Sequence, residues 1–147
     1  ATAQNPLNAE ETEFVRNFIQ MSLADTKLSE QMRDRTSNQR VKNFISMVIT
    51  DQESAYQELA LLTQYQNSNI QDSLLDINQP DSGFVMKDNY DQAYMAAMEK
   101  DYQSIVNSLN EISAKAESPH LKTWIGNTLP RMQRNLDSAV AIHRQLK

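Results

Sequence analysis

The chain has 147 residues, a formal net charge of -5, two glycines, four prolines and no cysteine. That length suits one domain with a core of its own, and the composition, rich in Gln, Asn, Ala, Leu, Met, Glu and Lys, favours helix over sheet. The missing thiols exclude cysteine nucleophiles, iron-sulfur clusters and thiolate zinc sites. The acidic balance, with Lys and Arg scattered among acids, argues against nucleic acid as a partner. No apolar run reaches the ~18 residues of a membrane span.

In chain order, the first element is announced by Asn8 with Glu11 three residues later, the pattern of a capping box. The helix that follows, over about 9–35, carries Phe14, Phe18, Met21, Leu28 and Met32 on one stripe, and the slot between Met21 and Leu28 belongs to Asp25. A polar break with Thr36 or Ser37 as cap leads to a second helix over about 38–66. Its stripe is Val41, Ile45, Val48, Ala55, Leu59 and Leu62, and its middle slot holds Gln52. The break is short enough for an antiparallel hairpin.

From about 67 to 87 the periodicity fails, and Pro80, Asp81, Ser82 and Gly83 give a turn signal. We read a long connection there, with a short helical turn at Ser73 to Ile77. A third helix over about 88–117 presents Tyr94, Met98, Ile105, Leu109, Ile112 and Ala116, interrupted by Tyr102. Ser118 followed by Pro119 is a helix start, and the fourth helix runs over about 119–146. Two stripes compete on it, so its buried face is expected to span both, with Asn135 as a polar member. Pro130 lies well inside and is expected to kink it.

Two hairpins joined by a connection of about twenty residues predict an all-α four-helix bundle of ferritin-like topology, with a plain up-down bundle as the alternative. Positions equidistant from a hairpin turn share a height. Tyr102 lies sixteen residues before Ser118 and Asn135 seventeen after, while Asp25 lies twelve before Ser37 and Gln52 fifteen after. The second offset is about 4.5 Å at 1.5 Å per residue. Asp25, Gln52, Tyr102 and Asn135 are therefore expected to meet as one polar layer, bonded to one another or to a trapped water, since a buried polar group without a partner costs about 1 to 3 kcal/mol.

Bundle cores are also where metals are held, by Glu and Glu-x-x-His motifs on facing helices. The one Glu-x-x-His here, Glu117 to His120, is broken by Ser118 and Pro119, and no second copy exists. His120 reads as a first-turn surface residue and His143 as a last-turn residue placed against the helix dipole. No Gly-rich elbow surrounds a serine, and no phosphate-cradling loop is present.

The segments NFIQMSLADTKLSEQM, RVKNFISMVITDQESAYQELALL, NYDQAYMAAMEKDYQSIV and PHLKTWIGNTLPRMQRNLDSA resemble successive blocks of the ferritin-like domain-of-unknown-function family 4142. The most telling parts are Thr-Leu-Pro in helix four, Tyr-Asp-x-Ala-Tyr in helix three and Met-Val-x-x-Asp in helix two. The resemblance covers about Glu10 to Leu146. It implies exported bacterial proteins of the periplasm or envelope, without an established activity.

The family pattern implies Glu in helix one, Asp-His in helix two, and a histidine in each of helices three and four. Here those positions hold Asp25, Asp51 with Gln52, Tyr102 and Asn135. Amide and phenol groups are weak ligands for transition metals, so no catalytic role and no cofactor are expected. The alternative is a metal-binding or redox protein holding iron, manganese or zinc through Asp25 with Asp51, Asp101 or Tyr102. A third reading is an envelope protein that binds a protein partner through Phe84, Val85 and Met86 in the long connection, or through the Met and Tyr residues of helix three.

Overall fold

A computed structural model describes residues 7–65 and 89–146, without the side chains of residues 63–65. Four helices make up the fold: α1, Ala9–Arg33; α2, Gln39–Tyr65; α3, Tyr90–Lys115; and α4, Pro119–Gln145. Among the described residues there is no strand. The helical turn expected at residues 73–77 lies outside the described residues, as do Phe84, Val85 and Met86.

The helix starts follow local chemistry. Asn8 Oδ1 accepts from Glu11 N at 2.8 Å while Glu11 Oε1 accepts from Asn8 N at 2.9 Å, completing the box. Ser118 Oγ accepts from Leu121 N at 3.3 Å, with Pro119 opening α4. The cap of α2 differs from expectation. Asn38 fills it, its Oδ1 accepting from Arg40 N and Val41 N, whereas Thr36 Oγ1 accepts from Asn38 N and so shapes the turn before the cap. An amide oxygen two or three residues ahead of its donors suits a cap as well as a hydroxyl does.

Helix directions follow from contacts at the two ends. Near the start of α1, Glu11 Oε2 accepts from Glu117 N at 3.0 Å and Ser118 N at 2.9 Å, in the α3–α4 turn. At the opposite end Tyr90 donates its hydroxyl to Arg35 O at 2.9 Å, and the Arg35 guanidinium stacks over the Tyr90 ring at 5.4 Å. Thus α1 and α4 run one way and α2 and α3 the other. Both hairpins are antiparallel, and the helices flanking the long connection are parallel. The most extensive packing is within each hairpin, then between α2 and α4 and between α1 and α3, so α2 and α3 lie across a diagonal.

The stripes read from the sequence form the core, and the buried faces are wider than the stripes. Val15 and Ile19 join α1, Phe44 joins α2, and Met95 and Val106 join α3. On α4 both competing stripes contribute, through Leu121, Ile125, Thr128, Met132, Asn135, Leu136, Ala139 and Ile142. Each large apolar side chain taken fully from water contributes about 1.5 to 3 kcal/mol. Toward the Glu11 end Trp124 meets Phe18 edge-on at 4.9 Å and Phe14 at 6.0 Å, and its Nε1 donates to Ala55 O at 3.1 Å. This bond ties α4 to α2. The helical assignment of α4 continues through Pro130, whose ring is exposed, so the missing N–H falls on the solvent face.

Candidate functional site: the polar layer at mid-height

Asp25, Gln52, Tyr102 and Asn135 are all buried, at 2%, 0%, 0% and 2% exposure, one on each helix. They occupy core slots because the 3.6-residue period turns them inward with their apolar neighbours. Gln52 Nε2 donates to Asp25 Oδ2 at 3.4 Å, joining α2 to α1. Asn135 Nδ2 donates to Tyr102 OH at 3.4 Å, joining α4 to α3. Across the diagonal, the Gln52 amide lies close enough to the Tyr102 phenol to favour its ionised form, which brings the two pairs together.

The two acids beside these positions also enter the layer. Asn135 Nδ2 reaches Asp51 Oδ2 at 3.0 Å, shorter than its contact with Tyr102. Asp101 stands beside the Asp25 carboxyl from α3 and disfavours its ionised form. Asp25 is almost wholly buried, while Asp101 is half-buried. Burial pushes the Asp25 carboxyl well above the ordinary carboxylate range, Asp101 pushes it further, and the Gln52 amide opposes them.

The same burial raises the Tyr102 phenol above its ordinary value, against the stabilising bonds from Gln52 and Asn135 and with the charges of Asp25 and Asp51. About two turns along α3, Tyr94 OH lies 2.6 Å from Ser29 Oγ, and burial raises its phenol too. Phe44 packs edge-on against both tyrosine rings, at 6.3 and 6.1 Å. The layer thus extends toward the Arg35 end. Gln52 Oε1 is buried and has no protein partner.

The histidines lie away from this network. His143 Nδ1 sits 3.1 Å from Glu99 Oε1 of α3, so its neighbour is a carboxylate as well as a helix end. His120 is exposed in the first turn of α4. Among the described residues no group of three or more His, Cys, Asp or Glu side chains is arranged to hold a metal.

A family model described as Domain of unknown function (DUF4142) matches residues 1–142. The chain belongs to that family. No curated protein and no solved structure matches it. Within this DUF4142 bundle, the donors at the mid-height layer are carboxyl, amide and phenol oxygens with two amide nitrogens. That set lacks the imidazole and thiolate donors that zinc favours and the histidines that accompany carboxylates in bundle iron sites.

Two contacts lie beyond the four residues expected from the sequence: Ser29 with Tyr94, and the reach of Glu11 to the second hairpin. A signal for the first existed, because Ser29 lies one helical turn beyond Asp25 on the same face. The second had none, since Glu11 is already explained by its own cap. Among the described residues no helix is long and apolar enough to cross a membrane.

Proposed function

We propose that the protein is an exported, ferritin-like helical bundle of the bacterial envelope that works without catalysis. Its polar layer stands where the resemblance implies histidines in relatives, and burial there favours the protonated form of the Asp25 carboxyl. The observation that carries this reading is the Asp25 carboxyl, buried between the Gln52 amide and Asp101 and raised by that burial. A group so placed is a hydrogen-bonding member of a core. The role of the layer is to fix helix register: a one-residue slip of any helix would break the Gln52–Asp25, Asn135–Asp51 or Asn135–Tyr102 bond and leave buried groups unpartnered.

Elemental analysis tests this reading on protein purified mildly and then incubated with iron(II), manganese(II) or zinc(II). The expected result is no stoichiometric metal in either state. Metal bound one to one and lost in Asp25→Ala would replace this reading with the metal-binding or redox one.

A further inference from the structure

The seam between α1 and α3 packs less extensively than either hairpin and leaves a groove of about 440 Å³ toward the Glu11 end. Its floor is apolar: Phe14, Phe18, Ile105 and Ile112, each almost fully buried. Its exposed rim carries three carboxylates, Glu10, Glu13 and Glu111, against the single ammonium of Lys115. A cleft of this size with an apolar floor and a few polar groups at its edge has the form of a small-molecule site. The charge at its edge selects the sign of the ligand.

We propose that the α1–α3 groove binds a small lipophilic cation, an amine or quaternary ammonium whose apolar body lies on the Phe14–Phe18 floor and whose charged head meets the Glu10, Glu13 and Glu111 carboxylates. The apolar floor suits the hydrocarbon body of such a ligand, and the carboxylates at the rim suit its charged head. This site lies apart from the polar layer and does not depend on what that layer does.

The chain carries its own reporter. Its one tryptophan, Trp124, packs edge-on against both Phe14 and Phe18 beneath the groove. Octyltrimethylammonium, titrated below its aggregation concentration, is expected to change Trp124 emission saturably at one equivalent, with helix content by circular dichroism unchanged. Octanoate, of the same chain length and opposite charge, is expected to bind at least about tenfold more weakly, because it meets three like charges.

The triple variant Glu10→Gln, Glu13→Gln, Glu111→Gln is expected to weaken octyltrimethylammonium about fivefold and to leave octanol unchanged, the size expected for exposed charges. Ser108→Phe, at an exposed rim position whose added ring fills the groove, is expected to lose the response at least about tenfold. Equal binding of octanoate, an unsaturable response, loss of helix during titration, or full binding by Ser108→Phe would each overturn the proposal.

Discussion

The Gln52 amide on α2 donates to the Asp25 carboxyl on α1 across 3.4 Å at the centre of the bundle. Because burial and Asp101 raise the Asp25 carboxyl in the folded protein, folding favours its protonated form. The stabilisation from this shift is complete below the ordinary carboxyl value of 3.8 and is lost as pH rises through the higher native one. Asp25→Asn imitates the protonated group without titrating. Urea unfolding at a series of pH values should therefore show the variant gaining on the wild type above pH 3.8, at up to about 1.4 kcal/mol per pH unit. A variant less stable than wild type at pH 8 would contradict this account.

Tyr94 and Tyr102 lose stabilisation in the same direction, further up the scale. Both phenols are raised above 10.0 chiefly by burial, so the folded state keeps them protonated where the unfolded chain would ionise. Spectrophotometric titration should find Tyr94 and Tyr102 un-ionised at pH 11 while the fold persists. Those two should then ionise together with loss of helix. Tyr94→Phe and Tyr102→Phe should each remove one from the late group.

Glu11 is 2% exposed, and its carboxyl accepts from the backbone of Asn8, Glu117 and Ser118. Glu11→Ala leaves three donors without this acceptor, two of them in the turn of the other hairpin. A loss of about 2 to 4 kcal/mol is expected from urea unfolding, given about 1.5 to 3 kcal/mol for a hydrogen bond to a charged group. Hydrogen exchange should quicken at Glu117 and Ser118, which are distant in sequence.

Gly126 lies inside α4 on its exposed side, and a Cβ built there meets nothing within 4 Å. Gly126→Ala should therefore stabilise the protein by about 0.5 to 1 kcal/mol, through lower chain entropy in the unfolded state and better helix propensity. A higher thermal midpoint with an unchanged spectrum is the measurement that checks it.

The helices and two of their starts were readable because the signals are local. A capping box spans three residues and an apolar stripe repeats every three or four, so Asn8, Ser118 and the inward slots of Asp25, Gln52, Tyr102 and Asn135 stand out in one sequence. Heights could be counted from the turns. Which side chain bonds which could not, because a stripe gives the buried face of one helix and not its rotation against three others. Asn135 was expected opposite Tyr102, and it also reaches Asp51 at 3.0 Å. Ser29 was hidden in the same way: a small hydroxyl beside Leu28 shows its worth only once Tyr94 arrives from α3.

Glu11 also has a meaning for the bundle's electrostatics. Helices α1 and α4 both begin at its end, so two partial positive charges, each about half an elementary charge, converge there. One carboxylate answers both, through Asn8 N on one side and Ser118 N on the other. Because helices of like direction sit across the diagonals, every packed seam of the square joins opposed dipoles. The dipoles therefore cancel in pairs around the square, and the two N-termini that share one end are the ones Glu11 serves.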